Sequence, residues 1–130
     1  MRHLHSKSTL PWLCIGDFNE ILTSNEKQGK ILRPIRQMEE FHNVLLQSDL
    51  IDLGFYGNKF TWRNSWSGEA FVQERLDRAC STIKWRALFP SSKVVHLQAS
   101  YSDHDPIMVT TNVDTQIACR KKISKRFEEK

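Results

Sequence analysis

Apolar and polar positions change period several times along the chain, and each change predicts an element. In PWLCIG, residues 11–16, the apolar run is nearly continuous, the pattern of a strand buried on both faces. It runs straight into Asp17, Phe18 and Asn19, after which residues 19–33 are polar and read as a long loop. Pro34 suits a helix start, and in PIRQMEEFHNVLLQSDL the residues Ile35, Met38, Phe41, Leu45 and Leu46 fall near a 3.6-residue period. LIDLG reads as a short strand punctuated by Gly54 and Gly57. KFTWRN and FVQERLDRAC alternate around the turn residues NSWSGE and predict a hairpin, TIKWRALF a short helix, and KVVHLQA and PIMVTTNV two more strands. Roughly six strands and two helices in mixed order predict α/β or α+β layers, about one sheet with helices on one face. The other face of such a sheet needs a partner, and this chain is short of material to supply one.

Charge adds one fact to this picture once it is located. The formal net charge is +4, yet Arg120 to Lys130 alone carries six Lys/Arg against two Glu, so residues 1–119 balance. RKKISKR therefore reads as a basic tail, a solvated terminus or a nuclear address. The chain divides into a polar lead-in (1–10), a folded body (11–113) and that tail (114–130). The start carries no hydrophobic signal region, and no apolar run approaches the roughly 20 residues a membrane helix requires. Three scattered cysteines, Cys14, Cys80 and Cys119, make no CxxC or zinc-finger spacing. An intracellular, unsecreted chain with no membrane partner is the expectation.

Three polar points carry candidate chemistry. Asp17 and Asn19 stand two apart and share a side if the strand continues, where a carboxylate and an amide suit holding a water and a phosphate oxygen; an Asx-turn is the plainer alternative. In YSDHDP, His104 is flanked by Asp103 and Asp105, which favours its cation. In ERLDRA, Asp77 lies between Arg75 and Arg78, where a surface ion-pair ladder is the alternative.

Taken in order, GDFN, RLD and SDHxP resemble the endonuclease/exonuclease/phosphatase superfamily. PWLCIGDFNEIL, DLGFYGNKFTWRN, ERLDRACST, WRALFP and YSDHDPI narrow the resemblance to the endonuclease domain of plant LINE-type (non-LTR) retrotransposons, from about Pro11 to Asn112. The resemblance implies magnesium-assisted hydrolysis of a phosphodiester in DNA. It implies that Asp17 positions or deprotonates the attacking water and that Asn19 holds the nucleophile and a phosphate oxygen. It gives His104 contact with the scissile phosphate, Asp77 the orientation of that imidazole, and Asp103, with Asp17, a place near the metal. It also implies a partial four-layer α/β sandwich of the deoxyribonuclease I-like type. This chain matches the second half of that domain; the first half would supply a metal-binding Glu and an Asn. Self-association or a separate N-terminal half would then cover the open sheet face. An inactive retroelement fragment is one other reading. A nucleic-acid-binding module using Trp62, Arg63, Lys59, Phe60 and the basic tail is another, although a neutral body weakens backbone binding and hairpin packing suits Phe60 and Trp62 better.

Overall fold

The computed structural model describes residues 10–99 and 102–111, in a mixed α/β arrangement of three small antiparallel sheets and few helices. Most of the polar lead-in, the basic tail, Tyr101, Asn112 and Cys119 lie outside the described residues. Strand β1 (Leu13–Asp17) pairs with β6 (Asp77–Ser81), which also pairs with β3 (Ile51–Asp52). The hairpin from KFTWRN and FVQERLDRAC forms as β4 (Trp62–Arg63) against β5 (Gln73–Glu74), with β2 (Lys27–Gln28) on the far edge of β5. Strands β7 (Lys93–His96) and β8 (Ile107–Thr110) make the third sheet. Among the described residues, no helix is long and apolar enough to cross a membrane.

Helix α1 (Ile35–Gln47) starts at Pro34, whose φ of −58° suits the entry to a helix. Met38, Phe41 and Leu45 are its buried stripe, whereas Ile35 and Leu46 face solvent, so the apolar face is narrower than the sequence predicts. Phe41 and Leu45 pack with Leu50 and Cys80, with Trp12, Cys14, Phe18 and Leu22 around them; Met38 joins Ile21, Leu76 and Trp62 in a second cluster. Helix α2 (Ile83–Leu88) is capped by Thr82, whose hydroxyl accepts the Trp85 amide, as a first-turn orphan donor requires.

The expected single sheet is broken, and the break has a physical cause. Arg75 and Arg78 both reach the carboxylates of Glu26 and Asp52, at 2.8 Å or 2.9 Å. In a regular strand residues three apart face opposite ways, so the chain must kink between them, and the kink separates β5 from β6. These arginines are not the surface ladder anticipated for ERLDRA: Arg78 is 0% exposed and Arg75 3%. Each also lies over an aromatic ring, Phe55 for Arg75 and Phe41 for Arg78. The loop of residues 19–33 is likewise not plain loop. It holds a 3-10 turn, Ser24–Glu26, which buries Glu26, and then β2.

β1 is also less buried than its apolar run predicts. Cys14, the direct partner of Cys80, faces the layer under α1, while Ile15 points to the other side and is 46% exposed. Ile51 projects on that same side and is 39% exposed, although Ala79 and Ser81 between the two are buried there. Elsewhere, Gly57 lets the chain pass against β7. At its φ of +108° a side chain is strained, and a Cβ would lie 2.8 Å from the His96 carbonyl oxygen.

Removing Arg78 leaves Glu26 and Asp52 buried and underpaired. Arg78→Ala is expected to cost about 3–5 kcal/mol in urea denaturation. The exposed Arg36→Ala, which breaks only the surface pair with Glu40, is expected to stay within about 0.5 kcal/mol.

Candidate functional site

The register of β1 and β6 brings Asp17 directly opposite Asp77. Like charges opposed across a ladder repel and destabilise it. The imidazole of His104 is set between them: Nδ1–H donates to Asp77 Oδ2 at 2.9 Å, and Nε2 lies 3.9 Å from Asp17 Oδ2. Ligand atoms of these three residues all lie within 4.8 Å of one another, and they form the one such His/Cys/Asp/Glu group among the described residues.

Each member is held by its own segment. Asp17 ends β1 in a tight turn, where its Oδ1 accepts the Asn19 amide at 2.8 Å and Asn19 sits at φ +55°. This is the Asx-turn alternative, and it coexists with the cluster. Asn19 is therefore not on a continuing strand beside Asp17; its main-chain N–H is bound to Asp17 Oδ1. Asp77 opens β6, immediately after the kink. His104 rides a loop stitched to β4: Arg63 N–H donates to the Asp103 carbonyl at 3.1 Å, and Asp105 N–H donates to the Thr61 carbonyl at 2.7 Å.

The two flanking aspartates have different fates. Asp105 is buried and accepts the Arg63 guanidinium at 2.9 Å and the Ala99 amide at 3.1 Å, which together outweigh desolvation and hold its carboxyl below the usual range. Asp103 is exposed, stands outside the Asp17–Asp77–His104 group, and acts on His104 through its charge. Arg63, one of the anticipated nucleic-acid contacts, is thus engaged within the fold, and Trp62 is half-buried against Ile21, Met38 and Leu76.

Burial alone would lower the His104 pKa, but the hydrogen bond and charge of Asp77, with the charges of Asp17 and Asp103, raise it above its ordinary value. Its sequence neighbours suggested a favoured cation; the principal cause lies 27 residues away. His96, to which the sequence assigned no role, is buried, stacked on Phe55, and donates from Nδ1 to the Asn58 carbonyl. Desolvation pushes its pKa down. The sequence reading missed Thr61, whose only signal is a β-branched hydroxyl residue in an alternating strand, and the pairing of Arg63 with Asp105.

A raised folded-state pKa on His104 contributes stability that is full below the unfolded value of about 6.5 and is lost as pH rises through the folded value. The His104 ring protons, followed by NMR, are expected to titrate above that reference, and in Asp77→Asn the midpoint falls toward it. An unchanged midpoint in Asp77→Asn would remove Asp77 as the cause. No family model, curated protein or solved structure matches this chain.

Proposed function

We propose that the chain is the second half of a magnesium-dependent DNA endonuclease domain of the endonuclease/exonuclease/phosphatase type, similar to those of plant LINE-type retrotransposons. The observation that carries this reading is the convergence of Asp17, Asp77 and His104, from three separate segments, into one charged cluster. A phosphodiester is anionic, and its hydrolysis concentrates further charge on the phosphoryl oxygens. A cationic imidazole is suited to meet that charge. Asp77 fixes the ring through Nδ1 and leaves Nε2 to donate toward a phosphate oxygen. Asp17, at the turn, orients a water and draws off its proton. The Asn19 amide side chain would hold the same water and a phosphate oxygen without adding charge.

The donor chemistry fits a hydrated magnesium ion. Magnesium takes one or two carboxylates and completes its shell with water and substrate phosphate. The exposed Asp17 keeps Oδ2 clear of its turn hydrogen bond, and Asp103 adds a second exposed carboxylate. Bound there, the ion would polarise the phosphate and offset charge on the leaving oxygen. The resemblance implies a further Glu ligand from a first half of the domain. The finer fold, a deoxyribonuclease I-like sandwich, belongs to the same proposal. It gives Ile15 and Ile51, partly exposed on the side of the sheet away from α1, a second sheet to pack against.

Nicking of supercoiled plasmid with magnesium, by the purified chain mixed with the first half of a plant LINE-type endonuclease domain, tests the proposal. Nicking is expected in the wild type, to vanish in EDTA, and to fall about 10²–10³-fold in His104→Ala, the scale for removing a group that stabilises developing charge. Folded protein that nicks no better than either control would overturn it.

A further inference from the structure

The kink that separates β5 from β6 exposes two successive amides, Leu76 N–H and Asp77 N–H. Successive amides of a regular strand point opposite ways and cannot share an acceptor. Here both donate to one atom, Thr61 Oγ1, each at 3.0 Å. Thr61 is 0% exposed, so no solvent can replace that oxygen. Its main chain reaches two ways. Its N–H donates to the Glu74 carbonyl at 3.0 Å, and its carbonyl accepts Asp105 N–H at 2.7 Å. One residue thus holds the backbone of Asp77 through its side chain and the loop of His104 through its carbonyl.

We infer that Thr61 is a positioning residue whose buried hydroxyl fixes the Asp77 carboxylate against the His104 imidazole. The inference rests on the proposed function only for what the pair is used for; the geometry stands without it. The Thr61 hydroxyl bonds the amides of Leu76 and Asp77 rather than the side chains of His104 or Asp17, so it acts through Asp77. Replacing the hydroxyl by a methyl group leaves the buried Leu76 amide and the part-buried Asp77 amide without their acceptor, and the kink must then relax to find another. Relaxation at Asp77 moves its carboxylate relative to the loop of His104, which the Thr61 carbonyl still holds through Asp105 N–H. Misplacement on the scale of about 1 Å is enough to cost about 10²-fold in rate.

The test compares Thr61→Val, which keeps shape and loses the oxygen, with Thr61→Ser, which keeps the oxygen and loses a methyl group. In full-length protein with ¹⁵N-labelled histidine, the His104 Nδ1–H proton reports the bond to Asp77. Amide exchange reports Leu76 and Asp77 separately from Ala79 and Cys80 within β6. Thr61→Val is expected to lose or strongly shift the Nδ1–H signal and to exchange Leu76 and Asp77 faster, with Ala79 and Cys80 still protected. Thr61→Ser is expected to keep both wild-type signatures. A wild-type Nδ1–H signal in Thr61→Val overturns the inference, as does a folded Thr61→Ser that behaves like the valine variant. If Thr61→Val does not fold, Thr61→Ser decides alone, by keeping or losing the Nδ1–H signal. These readouts need no DNA, so an absence of nicking would sink the proposed function and leave this test intact. If nicking is present, Thr61→Val is expected to slow it about 10²-fold and Thr61→Ser to restore it.

Discussion

A guanidinium shut away from water governs this fold. Arg78 is wholly buried, and an unpaired charge in that position would cost several kcal/mol. Carboxylates must therefore come to it from outside its own strand. Asp52 arrives on β3 and Glu26 on the 3-10 turn of the long loop, and each also serves Arg75. The carboxyl pKa of Glu26 and of Asp52 is lowered although burial alone would raise both, so the arginines outweigh desolvation. The quartet ties three stretches distant in sequence into one layer beneath α1. It also imposes the kink that lets Arg75 and Arg78, three residues apart, reach the same acids.

The kink has a chemical consequence as well as an architectural one. Arg78 faces the layer under α1, and alternation then turns its neighbour Asp77 to the opposite side, where Asp17 is its direct partner. Two carboxylates opposed on a half-open face would weaken the ladder. The loop of His104 brings an imidazole between them, which converts repulsion into a short hydrogen bond and a longer attraction. The same strand thus carries a charge paired with buried acids inward and one paired with His104 outward on adjacent residues.

Much of this was legible in local pattern, and the rest was illegible for a reason. The stripe Met38, Phe41 and Leu45 fixed α1 because a 3.6-residue period is a local property. Its width was not local: Ile35 and Leu46 are exposed because the sheet beneath covers only one arc. Asp17, Asp77 and His104 were found as members of ordered motifs, and the structure does bring them together. Asn19 follows the Asx-turn alternative, because strand termination is decided by a side chain bonding its own turn, Asp17 to Asn19. The partners of Arg75, Arg78 and Arg63 lie 23 to 52 residues away, and no spacing rule connects them. Charge counts treat such arginines as surface charge, which is how RLDR read as a ladder and Arg63 as a contact for nucleic acid. Thr61 was invisible for a related reason, since its importance lies in which amides lose their ladder partners.

The allocation of cations among the acids separates fixed charge from titratable charge. Glu26, Asp52 and Asp105 each meet an arginine, and a guanidinium stays charged at any pH a folded protein meets. Those pairs are constant, as a scaffold requires. Asp17 and Asp77 meet a histidine instead, the one common side chain whose charge changes near neutrality. An arginine in the place of His104 would hold the two carboxylates as firmly but could neither release nor regain a proton. A neutral side chain there would leave their repulsion unrelieved. Asp77 raises the imidazole's proton affinity, with the charges of Asp17 and Asp103 acting in the same direction. The Asp17–Asp77–His104 cluster thus holds a cation whose charge can change on one side of β6, and the buried arginines hold fixed ones on the other.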